Sequence, residues 1–385
     1  MPAPSGGTIS DRVWRTAHSL RDQLARARAW TAGLSRSAAV RRSPLPTEGV
    51  HVFYGYDQLP AADEVARGGI IKFQRLSEVF PNSPRWFNIL YMVSSDHPLY
   101  ATQLVRAALD KGARFVWNQD GVAYPAWMPS GWQALNARLA RLLHAADYVF
   151  YQSEFSRISS DRFLGQRSGP WEVLYNAVDT DRFLPSPSKK AGRDLVLLTA
   201  GSKYVLERIL SPIRTLAAVR ERHPRTSLLF AGRVSRQLLG PAQQLIAELG
   251  LQDSVTFLPA FTQEQAPGLF QRADILLHPK INDPCPGVVI EAMACGLPVV
   301  FSDSGGVPEL VGSEAGRGVP TEASWERFEP PAPRAWAEAV LTVAEDLSLF
   351  AQAARQRAVE RFDLRPWVER HRQLFEQLLG GDPEN

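Results

Sequence analysis

The chain has 385 residues, of which 45% are hydrophobic and 22% charged, and this balance excludes a disordered or fibrous protein. The net charge of +3 is unevenly distributed, because residues 1–42 hold eight Arg and two Asp. The rest of the chain is therefore not basic, which argues against a nucleic-acid-binding domain. The longest apolar runs are strand-sized and far shorter than the roughly 18 residues that a membrane-spanning helix requires.

Residues 1–45 are predicted to form a basic amphipathic helical segment. Ser10 can cap its start, and the polar Thr31 completes a row of apolar residues spaced by three and four: Val13, Ala17, Leu20, Leu24, Ala27 and Leu34. Such a helix can lie on an anionic membrane surface or pack on its own domain, and the sequence leaves both readings open.

The expected location is the cytoplasm, with peripheral contact at the inner membrane face through this helix as the alternative. The N-terminus lacks the continuous apolar core and cleavage site of a secretory signal. The two cysteines, Cys285 and Cys295, are too few for a disulfide framework or a structural zinc site.

Residues 46–185 are predicted to form an α/β domain with a parallel sheet. Buried strands are indicated by "VHVFYGY", "FNILYMVSS", "ARFVWNQDG" and "YVFYQS". Helical stretches separate them: residues 68–79, "LYATQLVRAALDKG" and "GWQALNARLARLLHAAD". Strands that alternate with helices favour a parallel sheet with crossover helices.

A second α/β domain is predicted over residues 186–360, after a Pro- and Ser-rich linker, "LPSPSKKAGR". Its strand candidates are "DLVLLTAG", "TSLLFAGR", "SVTFLPA", "DILLHP" and "PVVFSD", with helices near 207–221, 241–249, 263–271, 287–295 and 334–347. A final helix over 361–385 is expected to return to the first domain.

The stretch that follows "DILLHP" carries the clearest chemical signal. Asp283 lies in the loop after this strand, and Glu291 lies near the start of the next helix, which Gly296 ends. Ligands of parallel sheets bind at such strand ends, where helix N-termini favour phosphate. Carboxylates accept hydrogen bonds from paired hydroxyl groups. A ligand with both kinds of group is a sugar nucleotide, and the glycine turn in "SDSGGVPEL" would let backbone approach it.

These residues resemble the retaining glycosyltransferases of the GT-B fold, family 4. The C-terminal domains of that family have an E-x7-E motif followed by "EAMACGxPVVxSxxGGxPEL", which "EAMACGLPVVFSDSGGVPELV" matches closely. The resemblance extends from about residue 50 to 380, more weakly in the first half. It implies two Rossmann-like domains that face each other across a cleft, with the nucleotide sugar bound mainly by the second.

On this resemblance, Glu291 would bind the ribose hydroxyls and Asp283 the hydroxyls of the transferred sugar, although the family usually has Glu at that position. Donor contacts would also come from the start of the following helix, at Pro286, Gly287 and Val288.

The glycine that ends the first strand of the second domain is Gly201. The family's pair of diphosphate-binding cations follows it, and Arg208 falls at the second position. Ser202 replaces the first arginine, so Lys203 is the candidate substitute. Arg208 and Lys203 would stabilise the charge on the leaving phosphate.

In the first domain, Gly68 and Gly69 correspond to the glycine loop that would lie under the diphosphate. Gln119 stands where many relatives have His, which leaves Asp120 as a candidate contact for the acceptor.

The resemblance implies sugar transfer with retention of anomeric configuration, without a metal or other cofactor. The acceptor is expected to be a glycan or lipid-linked saccharide, in the synthesis of a bacterial surface polysaccharide. A GT-B epimerase or phosphorylase is the alternative if the protein is a different kind of enzyme. A non-catalytic sugar-nucleotide-binding or scaffolding protein is the alternative if it is not an enzyme, because Gln119 and Ser202 depart from the family's pattern.

Overall fold

The computed structural model describes residues 30–61, 63–66, 68–187 and 194–380 of the chain. Most of the predicted N-terminal amphipathic helix lies outside these residues, as does much of the predicted linker. Within the described ranges, every helix is too short or too polar to span a bilayer.

The first half of the chain forms a five-stranded parallel sheet with the order β1-β2-β3-β4-β5. Its elements are α1 (30–42), β1 (Val52–Phe53), α2 (Gly68–Ser77), β2 (Ile89–Val93), α3 (Ala101–Asp110), β3 (Arg114–Gln119), α4 (Trp132–Ala145), β4 (Tyr148–Tyr151), α5 (Glu154–Leu164) and β5 (Trp171–Val173). All five residues of β2 are buried, as expected of a strand that is covered on both faces.

The second half forms a six-stranded parallel sheet with the order β11-β10-β9-β6-β7-β8. Its elements are β6 (Val196–Ala200), α6 (Glu207–Arg220), β7 (Ser227–Ala231), α7 (Arg236–Glu248), β8 (Val255–Leu258), α8 (Ala266–Phe270), β9 (Ile275–His278), α9 (Gly287–Ala294), β10 (Val299–Asp303), α10 (Val307–Val311), β11 (Gly316–Pro320), α11 (Pro333–Glu345), α12 (Leu347–Phe362) and α13 (Leu364–Gly380). The predicted α/β class with two parallel sheets is confirmed.

The strand order of the second sheet reverses between β6 and β9. The chain runs outward from β6 to β8, then returns to the other side of β6 with β9 and continues outward to β11. At such a switch point the loops after the two central strands diverge and leave a crevice, which is where ligands of doubly wound sheets bind.

A corresponding switch point lies at β1 in the first sheet. Asn82, which follows α2, forms a parallel bridge with Val52 on the side of β1 away from β2, and the Ser83 N–H donates to the Val52 carbonyl at 2.8 Å. The chain then crosses to β2. The crevice at the carboxyl ends of β1 and β2 is therefore lined by the start of α2 and by the loop after β2.

The last helix joins the two halves. Helix α12 packs in the core of the second half through Ala354, Ala358 and Phe362. The chain then crosses over, and α13 buries Trp367 and Phe375 against the first sheet. At the crossing, Asp363 forms a parallel bridge with Val178.

Helix α1 packs on the first half, where Val40 is buried in the core formed with α3 and α4. Arg41 forms an ion pair with Asp110 at 2.9 Å. The described part of the N-terminal segment is thus attached to its own domain.

Candidate functional site

The loop after β9 has a tight backbone conformation that depends on a glycine pair. Asn282 adopts a positive φ of 55°, which is uncommon for a residue other than glycine. A Cβ added to Gly305 would lie 2.6 Å from the Asp283 carbonyl oxygen, and one at Gly306 would lie 1.9 Å from that of Pro284. The glycine turn after β10 therefore serves the close packing of this loop.

Asp283 is held as a charged, buried carboxylate. Its side chain accepts from Lys280 at 2.9 Å and contacts Nε2 of His278 at 3.1 Å. Burial alone would raise the pKa of Asp283, but Lys280 and His278 outweigh it and lower the pKa below its ordinary value. Burial in turn lowers the pKa of His278. His278 is thus a packed partner that orients Asp283.

Glu291 lies on the first turns of α9 and is 3% exposed. Its Oε1 accepts from Gln263 at 3.1 Å and from the Arg75 guanidinium at 3.3 Å. Because Arg75 belongs to α2, this ion pair crosses from one half of the molecule to the other. Burial raises the pKa of Glu291, and Arg75 opposes that rise.

The start of α9 leaves space beside Glu291. A Cβ built at Gly287 would meet the Glu291 Oε1 at 4.0 Å and no other atom at that range. Pro286 is the residue before the helix, with an extended ψ of 119°, and Gly287 and Val288 are half-buried. These three predicted donor contacts therefore lie next to the predicted ribose-binding carboxylate.

Arg208 lies near the start of α6, and the loop before it begins at Gly201, whose φ is +90°. Among the described residues, its half-buried guanidinium has no hydrogen bond or ion pair. Burial lowers the pKa of Arg208, and the charge of Asp283 acts in the opposite direction. The structure thus brings the predicted cation and the predicted sugar-binding acid to one switch point.

Lys203 is directed elsewhere. It is 3% exposed, and its ammonium donates to the carbonyls of Thr199, Gly201 and Ala231 at 3.2, 2.8 and 3.3 Å. Burial lowers the pKa of Lys203 to about 7. In this arrangement its donors are used at the ends of β6 and β7, so the geometry does not support its predicted substitution for the family's first arginine.

The face contributed by the first half contains Gly68, Gly69 and Asp120. Gly68 is open, with no atom within 4 Å of an added Cβ, whereas one at Gly69 would lie 2.7 Å from the Asp96 Cβ. Oδ1 of Asp120 is buried and has no hydrogen-bond partner. Gln119 is fully buried; it accepts from Trp117 at 2.7 Å and donates to the Gly121 carbonyl at 2.6 Å, so its role is in packing.

Further contacts hold the two halves together. The Glu309 carboxylate accepts from the backbone N–H groups of Glu154 and Phe155, both at 2.8 Å, and so caps α5 from the opposite half. The Asn176 amide donates to the Cys285 carbonyl at 2.6 Å. Trp325 stacks on Phe155 with a ring separation of 5.4 Å.

Three residues of this site were not expected from the sequence. Arg75, Gln263 and Lys280 each contact one of the two acids. Lys280 lies only three positions before Asp283, so the sequence alone could have indicated this ion pair. Arg75 and Gln263 reach Glu291 from distant parts of the chain, and no local pattern indicates them.

Two Rossmann-like halves whose switch points face each other define the GT-B fold. Solved structures agree with this class. Anabaena Alr3699/HepE in complex with UDP and glucose has a TM-score of 0.62 and 22% identity, covering 75% of this chain and 78% of that one. Sucrose-phosphate synthase of Thermosynechococcus elongatus has a TM-score of 0.63 and 20% identity, covering 76% and 74%.

Residues 186–357 match the family model described as glycosyl transferases group 1. One curated relative is the D-inositol 3-phosphate glycosyltransferase of Mycobacteroides abscessus, 30% identical over 44% of this chain and 38% of that protein.

Another relative is the GDP-mannose-dependent alpha-(1-6)-phosphatidylinositol monomannoside mannosyltransferase of Mycolicibacterium smegmatis, 31% identical over 47% of this chain and 51% of that protein. The chain thus spans about half the length of these relatives or less.

Proposed function

We propose that the protein is a retaining glycosyltransferase of the family 4 type. It moves a sugar from a nucleoside diphosphate sugar to a glycan or lipid-linked saccharide, and it requires no metal or other cofactor. The observation that carries this proposal is the convergence of Asp283, Glu291 and the unpaired Arg208 at the switch point of the second sheet. Two carboxylates and one cation match the hydroxyls and the diphosphate of such a donor.

The donor would lie with its ribose at Glu291 and its sugar at Asp283. Because Asp283 is held ionised by Lys280 and His278, it can accept hydrogen bonds from two sugar hydroxyls. Arg208 would then lie beside the diphosphate of the donor, and Asp283 beside its sugar.

In the transfer step, the bond between the anomeric carbon and the β-phosphate oxygen breaks, and the acceptor hydroxyl bonds to that carbon from the same face. The electron pair of the broken bond stays on the leaving phosphate, whose oxygen takes the proton of the acceptor hydroxyl. Arg208 stabilises the phosphate charge as it develops, and Asp120 orients the acceptor.

The acceptor class is inferred from the relatives. Their names include a D-inositol 3-phosphate glycosyltransferase and a phosphatidylinositol monomannoside mannosyltransferase. They favour a phosphate-bearing polyol or a lipid-linked saccharide over an unmodified soluble sugar, and a role in bacterial surface polymer synthesis accords with either.

Calorimetric titration of the purified protein with UDP, GDP, ADP and dTDP, and with their common sugar conjugates, tests the proposal. One nucleotide should bind the wild type, and Glu291→Ala should bind it about 30-fold more weakly, since a lost hydrogen bond to a charged group costs about 2 kcal/mol. Glu345→Ala, whose carboxylate lies on the exposed surface, is the matched control. Equal losses of affinity in both variants would contradict the assignment of Glu291 to the donor site.

Proton NMR of the product's anomeric centre would test whether transfer retains the anomeric configuration.

A non-catalytic sugar-nucleotide-binding protein is the second candidate. It is favoured by the use of the Lys203 ammonium within its own half and by the packed Gln119. Binding of a donor without release of nucleoside diphosphate, across a panel of glycolipid and polyol phosphate acceptors, would support this candidate over transfer.

A further inference from the structure

Helix α2 carries a buried cation that the proposed function does not use. Lys72 is 6% exposed, and among the described residues its ammonium has no hydrogen bond or ion pair. Burial lowers the pKa of Lys72, and this burial outweighs the opposing effect of nearby negative groups. A lysine without a partner is seldom buried in a protein interior, because loss of hydration disfavours its charged form.

The position of Lys72 on α2 directs its ammonium towards the start of the helix. It lies four residues after Gly68 and three after Gly69, so all three share one helical face, and side chains on a helix point back towards its N-terminus. The first N–H groups of a helix have no partners within it and favour anions. The open space at Gly68 lets a ligand reach them.

Asp120 faces Lys72 without pairing with it. Its carboxylate is the negative group that acts most strongly on the pKa of Lys72. The two charges form no ion pair, and Oδ1 of Asp120 is buried without a hydrogen-bond partner. A buried cation and a buried carboxylate oxygen, both unpaired, suit a ligand that presents a phosphate to one and a hydroxyl to the other.

We propose that Lys72, together with the N-terminal turn of α2, binds a phosphate oxygen of the substrate in the cleft, while Asp120 accepts from a neighbouring hydroxyl. This inference rests on the proposed function only for the source of the phosphate. The source is either the diphosphate of the donor or a phosphate group on the acceptor, and both present the same oxygens to Lys72.

The rival explanation is that Lys72 is a structural cation that stabilises the fold through Asp120. The two explanations predict opposite effects of Lys72→Met, which keeps the apolar length of the side chain and removes the charge. If Lys72 serves a ligand, its removal should raise the melting temperature of the free protein, since an unpaired buried charge is lost. If it is structural, the melting temperature should fall.

Titration calorimetry with pyrophosphate and with the nucleoside diphosphate that the protein binds provides the binding test. If the phosphate is that of the donor, Lys72→Met should weaken the binding of both by at least about 10-fold, while the matched control Lys111→Met should leave both unchanged. Lys111 lies in the same half of the molecule, over the ring of Phe87, and its ammonium contacts Ser43 rather than the cleft. Unchanged affinities of Lys72→Met for both ligands, and for inorganic phosphate in the nucleotide-saturated protein, together with a lower melting temperature, would overturn the inference.

A further titration separates the two sources of phosphate. If Lys72→Met binds nucleoside diphosphate normally but no longer binds inorganic phosphate in the nucleotide-saturated protein, the phosphate belongs to the acceptor. If nucleotide binding itself is lost, it belongs to the donor. Pyrophosphate contains no base or ribose, so binding of pyrophosphate through Lys72 by a protein that binds no nucleotide would support the inference and contradict the proposed function.

Discussion

The Arg75 guanidinium lies 3.3 Å from Oε1 of Glu291, so the carboxylate predicted to bind a ribose is paired with a cation from the opposite half. Both side chains are largely buried, at 13% and 4% exposure. A ribose that enters this position must share or replace the Arg75 contact. On the proposed assignment of Glu291 to the ribose, donor binding and the relative position of the two halves would be coupled through this carboxylate.

Removal of Arg75 should leave an uncompensated buried charge. Arg75→Met is expected to destabilise the protein by about 3 kcal/mol, the usual cost of breaking a buried pair on one side. The double variant Arg75→Met with Glu291→Gln should recover at least about 1 kcal/mol of this loss. Chemical unfolding followed by tryptophan fluorescence measures both values. Strictly additive losses in the two single variants would show that the pair is not coupled.

Asp283→Asn should separate recognition of the sugar from recognition of the nucleotide. The amide cannot accept as many hydrogen bonds as the carboxylate, and it leaves Lys280 without its ion pair. The affinity for the nucleotide sugar should fall about 10-fold or more, while the affinity for the nucleoside diphosphate alone stays within about 2-fold. Calorimetry with the two ligands gives the comparison, and equal losses for both would contradict the assignment of Asp283 to the sugar.

Arg208→Ala should slow transfer more than it weakens donor binding. A cation that stabilises charge on the leaving phosphate acts chiefly in the transition state, so kcat should fall by about 100-fold, while the dissociation constant of the donor should rise by much less. Arg214→Ala is the control on the same helix, because Arg214 is paired with Glu207 at 3.0 Å. A rise in KM with an unchanged kcat would assign Arg208 to ground-state binding instead.

The stability of the protein should depend on pH through Lys203. Its pKa is about 7 in the folded protein, against the ordinary value of 10.5 for an unfolded chain. Between these values the unfolded state binds more protons, so the contribution of Lys203 to stability rises with pH and is lost as the pH falls from about 10 to 7. As the pH rises through this window, the free energy of unfolding of the wild type should increase by on the order of 3 kcal/mol relative to that of Lys203→Met. Melting curves of both proteins at several pH values would detect it, and a constant difference would contradict it.

Gly306→Ala should disturb the site loop because the new methyl group would overlap backbone. The added Cβ would lie 1.9 Å from the Pro284 carbonyl oxygen, so the turn after β10 must move away from the loop that carries Asp283. A loss of about 2 kcal/mol in stability and weaker donor binding are expected. Gly240→Ala is the matched control, since no atom lies within 4 Å of its added Cβ, and it should be neutral or slightly stabilising.

The sequence was sufficient to predict the alternation of strands and helices, because buried parallel strands such as "ILYMV" are continuous apolar runs. It also indicated Asp283 and Glu291, which lie on one short loop and the helix after it. Strands β5 and β11 were missed. The first has three residues, and the second, "GRGVP", has glycine and proline where strand formers are expected.

Side-chain direction could not be predicted in the same way. Lys203 and Lys72 both lie within a few residues of glycine, yet the ammonium of the first donates to three carbonyls and that of the second has no partner among the described residues. The difference depends on which strand ends surround each ammonium and on how the opposite half of the molecule packs against it. Contacts such as that of Arg75 with Glu291 join residues that only the docking of the two halves brings together.

The return of α13 to the first sheet also determines how the halves can move. The outgoing chain at Val178 and the returning chain at Asp363 lie side by side, joined by hydrogen bonds of 2.8 Å from the Val178 N–H to the Phe362 carbonyl and 2.9 Å from the Leu364 N–H to the Val178 carbonyl. Two hydrogen-bonded chain segments resist twisting more than a single linker does. Opening of the cleft should therefore be a rotation about this paired crossing, and a first half produced without residues 364–380 would lack both its pivot and the cover of its sheet.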